Sequence, residues 1–403
     1  MRRYTKFLLS IAAFVALSAS AQTDASVSAE GRFAAVLNSV ADRNTTLRAA
    51  CASLSATELQ NRAASALADP EAEVTYAKGS PKGVPARTNV SFTQTLDWGT
   101  LTGRRSAASS AANLSAAARY AVERKKVMAE ADALLVRLVY HNKRCAELAQ
   151  RLHTAEALQQ LFAKRLERGD ANQMEMNKVQ LNTSVARAEV QRAEAERRAA
   201  QQSLSRLAGG EAVEFPDTAY PHTFSALPPY ASLQSALASS AETKAAEAEV
   251  GENEAVARLA RSQTWPALTV GFQGEYVKEN NYNGLSLGLS LPLWGGTRRE
   301  LKAARSRVVA SQLEAADVKL QQTALLTERY RTASALSESA DALAANLSAA
   351  SNGTLLRRAL EEGQISLLDY LLETSFFYEA RTAQLEAERD AQLALSALRG
   401  MFY

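Results

Sequence analysis

The sequence predicts a mainly α-helical protein with a small β part. It reads as a long α-helical coiled coil plus four strands, too few to close a transmembrane β-barrel within one chain. Three observations carry this. Glycine and proline are missing from four long runs, 104–168, 170–208, 297–352 and 364–399. Strand-type alternation occurs in only two places, 73–96 and 267–293. The chain also repeats itself, with an offset of 196 residues at Trp98/Trp294 and 194 at Gly169/Gly363.

The elements follow in order. Arg2, Arg3 and Lys6 precede an apolar run from Phe7 to Leu17, and Ala19-Ser20-Ala21 is an A-x-A site. That is the pattern of an export signal over 1–21, cleaved before Gln22. The first repeat is expected over 22–208: a helix, a hairpin over 73–98, a long helix over 102–167, a glycine turn, and a helix over 171–208. In the hairpin Val90, Phe92 and Leu96 share one face, with Ser91, Thr93 and Thr95 on the other. The long run is rich in Ala, Leu, Glu, Gln and Arg, the strong helix formers. As one helix it would measure about 99 Å, which fits a coiled coil and no compact domain. Alternate steps of four and three from Leu134 give Leu138, His141, Cys145, Leu148, Leu152, Ala155, Gln159, Phe162 and Leu166, a heptad seam.

A Pro-rich connector over 209–230 leads to the second repeat, 231–403, with a hairpin at 267–293, a long helix at 297–361 and a helix at 366–400. Leu268, Val270, Phe272 and Tyr276 share a face against Thr269, Gly271, Gln273 and Glu275. "ENNYNG" supplies turn chemistry between the two strands. In "LSLGLSLPLWGG" leucine takes every second place, with serine and glycine between. A soluble strand usually charges its wet face; this one carries no charge there, as in a membrane barrel with lipid outside and a wet lumen. In lipid an open sheet edge leaves backbone groups unpaired, and four strands cannot close. A barrel must therefore be shared among copies, by head-to-tail cyclic symmetry.

Charge excludes one class and leaves others without support. Net charge is +3, from 46 basic and 43 acidic residues well mixed along the chain, unlike the basic face of a nucleic-acid binder. No run after the leader reaches the length of a transmembrane helix. His141, His153 and His222 stand in no ligand spacing, so neither a metal site nor a cofactor is predicted, and no catalytic set suggests an enzyme. His141 lies on the heptad seam and reads as packed. Cys51 and Cys145 either pair in an oxidising compartment or pack as small apolar residues.

"SFTQTLDWGTLTGRR", "SLGLSLPLWGGTRR", "RLERGDANQMEMNKVQ" and "ALEEGQISLLDYLLETS", in this order and spacing, resemble the TolC family of outer-membrane efflux proteins (outer membrane factors). The resemblance covers essentially the whole chain beyond the leader. It implies a homotrimer with a twelve-stranded barrel in outer-membrane lipid and a helical tube in the periplasm. It further implies a periplasmic adaptor protein and an inner-membrane pump as partners, and a passive conduit with no chemistry of its own. The alternative reading is a soluble periplasmic coiled-coil scaffold, which does not explain two alternating hairpins with largely uncharged wet faces or the duplication that places them symmetrically.

Candidate functional positions fall in three groups. Arg168, Gly169, Asp170, Glu362, Gly363 and Gln364 form the two glycine turns; they are helix caps, and by resemblance adaptor contacts. Glu175 and Asp369 each lie six residues after a turn glycine. By resemblance they line an acidic ring at the periplasmic entrance; otherwise they are solvated helix acids. The family's second acid is replaced here by Leu372, with Glu373 next to it. Trp98, Gly99, Pro292, Trp294, Gly295 and Gly296 form the corner between strand and helix, where a tryptophan serves an interfacial belt or packs the corner, and glycine eases the turn.

Overall fold

The structure, a computed structural model, describes residues 23–403 except 82, 222–226, 279 and 350–352. The expected leader and His222 lie outside the described residues. The first repeat opens with α1 (Thr23–Arg43) and α2 (Thr45–Ala64). Asn44 divides them: its side chain accepts from the Leu47 amide at 3.0 Å and donates to the Leu207 carbonyl at 2.8 Å. That cap fixes the break against a distant part of the chain.

The hairpin follows as β1 (Glu71–Ala77) and β2 (Arg87–Leu96), then the short α3 (Trp98–Leu101) and α4 (Arg104–Arg168). At 65 residues, α4 runs about 98 Å. It returns as α5 (Gln173–Leu207). The second repeat comprises α6 (Tyr230–Leu237), α7 (Ala241–Ser262), β3 (Ala267–Val277), β4 (Asn280–Ser290), α8 (Gly296–Ala349), α9 (Gly353–Glu361) and α10 (Leu367–Arg399). The helix expected over 297–361 is thus described in two pieces, on either side of 350–352.

The helices pack lengthwise. α4 lies against α2, α5, α7 and α10, and α8 against α7 and α10. None of the ten seam positions from Leu134 to Leu166 is exposed. The largest core joins Phe33 and Val40 of α1 and Leu47 of α2 to Leu135, Val136 and Val139 of α4, to Leu204 and Leu207 of α5, and to Phe215 of the connector. A second core, Leu237, Leu326, Ala333, Leu398 and Met401, binds α6, α8 and α10. Asp132 is fully buried there beside α10 and meets the Arg399 guanidinium at 3.3 Å. Cys51 and Cys145 are free. Cys145 packs half-buried, which pushes its thiol pKa up, whereas Cys51 stands exposed on α2 and so neither pairs nor packs.

The four strands form one antiparallel sheet in the order β1-β2-β3-β4. Its register puts the two hairpins in phase. Phe92, Phe272 and Leu285 form one row across β2, β3 and β4; Leu96, Leu268 and Leu289 form another; between them lie Gln94, Val270 and Leu287. Opposed residues share a face, so these apolar rows lie on a single side. The other side carries Thr93, Gly271 and Ser286, then Ser91, Gln273 and Gly284. Both face assignments read from sequence hold. The turn assignment does not: Asn281, Tyr282, Asn283 and Gly284 of "ENNYNG" sit inside β4, paired with Tyr276, Glu275, Gly274 and Gln273. The alternation of β3 and β4 keeps in step right up to the hairpin, so the ladder takes up residues that a turn would otherwise use.

Candidate functional site

The far end of the helices, opposite the sheet, carries two equivalent turns. α4 ends at Gly169 (φ 80°) and α9 at Gly363 (φ 73°), both left-handed. At the first, the Asp170 amide donates to Arg165 O at 2.8 Å and the Gly169 amide to Leu166 O at 3.0 Å. At the second, Gln364 donates to Ala359 O at 2.8 Å and Gly363 to Leu360 O at 3.3 Å. This is one Schellman closure made twice. Arg168, Gly169, Asp170, Glu362, Gly363 and Gln364 are all exposed. Glu362 is held locally, accepting from Arg358 Nε at 2.8 Å and from the side-chain Nε2 of Gln364 at 3.0 Å.

Behind each turn a capping box starts the next helix. Asn172 Oδ1 accepts from the Glu175 amide and Glu175 Oε2 from the Asn172 amide, both at 2.9 Å. In the second repeat the Asp369 amide donates to Ser366 Oγ at 3.1 Å, and Asp369 Oδ2 accepts from the Ser366 amide at 3.3 Å. The two acids therefore occupy the same third helical position, each satisfying a free amide at the positive end of its helix. A local role for both acids is shown by the geometry. Of their neighbours, Leu372 and Glu373 are exposed.

One tip residue escaped the sequence reading. Arg165 lies over the Phe162 ring at 5.5 Å and donates through Nη2 to Leu360 O at 3.2 Å and Glu361 O at 2.9 Å. It ties the end of α4 to the last carbonyls of α9, above a shared core of Leu158, Phe162, Met176, Val179, Leu360, Leu367 and Tyr370. An arginine in a helix rich in arginine gives no signal of its own. The only hint is that its counterpart 194 residues on is Ala359, so the bridge is not duplicated.

At the sheet end the two corners differ. Asp97 caps α3 by accepting from the Thr100 amide at 2.7 Å, and its other oxygen pairs with Arg105 at 2.6 Å. Gly99 is buried, and a Cβ there would come within 2.8 Å of the Leu259 side-chain end, which would have to shift. The left-handed glycine of this corner is Gly103 (φ 68°), which the sequence reading passed over. In the second corner the Leu293 amide donates to Leu291 O at 2.9 Å across Pro292, a tight turn suited to the fixed proline φ. Gly295 (φ 72°) then lets α8 begin at Gly296. Trp98 is no strand end but the first residue of α3, packed edge to face on Trp265 with ring centres 6.1 Å apart. Trp294 is 94% exposed. Packing and exposure thus divide between the two corners.

Residues 232–402 match the family of outer membrane efflux proteins. That match covers the second repeat. Solved channels share its fold over 92% of its length. The outer membrane protein VceC of Vibrio cholerae has a TM-score of 0.74 at 16% identity and is covered over 96% of its chain. The open-state MtrE channel of Neisseria gonorrhoeae has 0.75 at 18%, over 88%, and the CmeC channel of Campylobacter jejuni 0.72 at 13%, over 85%. A search of curated proteins gave no match. Among the described residues no helix is long and apolar enough to cross a membrane.

Proposed function

We propose that three copies of this efflux protein assemble into an exit duct, each lending four strands to a twelve-stranded barrel. The observation that carries the reading is the sheet: its apolar rows lie on one face, and β1 and β4 each leave one edge unpaired. Such edges cannot persist in lipid. Four is an even number, so β4 of one copy runs antiparallel to β1 of the next, and the ring closes with the ladder already present inside the chain. Exposed apolar stripes on the helices support the same assembly: Met174, Leu181 and Val185 on α5; Val309, Leu313 and Leu320 on α8; Leu368, Leu372 and Phe376 on α10. A monomer in water leaves these uncovered, whereas a wall of neighbouring copies buries them.

In this reading the turns at Gly169 and Gly363 face a periplasmic adaptor coupled to an inner-membrane pump, and the pump supplies the energy. Glu175 and Asp369 come together around the threefold axis as a cation-attracting ring, in addition to their capping role. The protein catalyses nothing; it conducts. The assembly test is extraction. The protein should resist carbonate, need detergent, and run as an oligomer that dissociates only on heating. Release by carbonate as a monomer would refute the duct. The ring test is conductance in planar bilayers, where E175Q/D369N should weaken cation block. Unchanged block would remove the ring and leave the duct standing.

A further inference from the structure

All three tryptophans of the chain lie at one end of the sheet: Trp98 two residues past Leu96, Trp265 two before Ala267, and Trp294 four past Ser290. Trp98 and Trp265 are 43% and 63% exposed although they pack on each other. Around this pair is a hollow of about 680 Å³, lined also by Thr102, Arg104, Arg258 and Arg261. Arg258 pairs with Glu254 at 3.5 Å. Arg104 and Arg261 have no acidic partner among the described residues, so two guanidinium charges stand uncompensated beside two indoles.

Trp98, which lines the hollow, leaves the sheet on its apolar side. Asp97 keeps an extended backbone (φ −94°, ψ 154°), so strand alternation continues through it and Trp98 leaves on the side of Leu96. The Leu96–Leu268–Leu289 row belongs to the apolar face. The lining residues come from the segments flanking β2 and β3, the middle pair of the sheet, one strand away from either edge that would meet another copy. Indoles at the boundary of the apolar rows, with arginines just beyond, match the layering of a bilayer from acyl chain to phosphate.

We propose that this hollow holds the headgroup phosphate of an anionic phospholipid from the periplasmic leaflet, with Arg104, Arg258 and Arg261 on the phosphate and Trp98 and Trp265 against the glycerol region. The two unpaired guanidinium groups favour a lipid with net negative charge over a zwitterionic one. The inference rests on the membrane placement of the sheet but not on copy number. The test is native mass spectrometry of the full chain released from mild detergent, with phosphatidylglycerol, phosphatidylcholine or inorganic phosphate added. The parent should retain phosphatidylglycerol, and R104Q/R258Q/R261Q should retain at least about tenfold less. R104K/R258K/R261K, which keeps the charge, should retain most of it. Should the glutamine variant not assemble, W98A/W265A provides the loss instead. Equal retention by parent and variants, equal retention of the two lipids by the parent, or displacement by inorganic phosphate at equal concentration overturns the assignment. Heat-modifiable oligomers in the parent and the lysine variant separate failure of this site from failure of the duct.

Discussion

The sheet and the helical shaft treat leucine in opposite ways. On α4, Leu135 and Leu138 are sealed among α1, α2 and α5. On β4, Leu285 is 90% and Leu287 78% exposed, with leucine at every second residue from Leu285 to Leu291. The shaft hides apolar surface within its own chain, whereas the sheet presents it. In the proposed duct the difference means that one polypeptide is folded for two solvents, with the boundary between them where Trp98, Trp265 and Trp294 lie. Polar positions carry the same lesson: the shaft's outer surface is laced with arginine–glutamate pairs, while the non-apolar face of β4 offers serine and glycine.

The sharpest way to break that comparison is to charge one face of β4 and then the other. L285R places a cation in lipid and should cost about 2–4 kcal/mol, seen as loss of the heat-modifiable oligomer. S286R, the next residue on the opposite face, should leave the oligomer intact. Equal damage from both would mean that the faces are not distinct. On the shaft, L135A should cost about 2–5 kcal/mol through an internal cavity, read in thermal unfolding in detergent, without altering membrane insertion.

Smaller effects probe the tip. G363A forces an L-residue into the left-handed region where a Cβ would meet nothing else, so backbone strain alone should cost about 1–2 kcal/mol. G284A, in a strand with equal free space, should cost less. N172A and S366A should each cost about 1 kcal/mol by loss of the helix cap, and their near equality would confirm that the two turns are equivalent. The smallest effect concerns His141. Burial lowers its pKa, against the opposing pull of Glu196. A folded pKa below the unfolded value means that stability is fully present above the ordinary value of about 6.5 and declines as pH falls through and below it. H141Q should flatten that decline between pH 7 and 5, measured as melting temperature against pH.

What the sequence made legible was whatever depends on periodicity. Uninterrupted runs located α4, α5 and α10, alternation located the faces of β2 and β3, and the echo of Gly169 in Gly363 located both tips. What it hid depends on contacts across the chain. Arg165 looks like any other arginine until α9 lies beside it. Trp265 gains meaning only opposite Trp98. Gly99 reads as a flexible hinge, whereas it packs buried against Leu259, and the left-handed turn falls to Gly103. "ENNYNG" carries turn residues, but the register of β3 and β4 draws them into the ladder. Local chemistry proposes a conformation, and pairing energy further along the strand decides it.

An even number of antiparallel strands per chain has an effect on stoichiometry. Every copy offers an up-running edge on one side and a down-running edge on the other, so the sheet would join smoothly whether two, three or four copies met. The ribbon therefore cannot count. In the proposed duct, counting falls to the shaft, where the width of each chain's helices and the angle between neighbouring stripes fix how many fit around a circle. A variant altered only in Val309, Leu313 and Leu320 could thus change the bore of the pore without any change in the membrane segment itself.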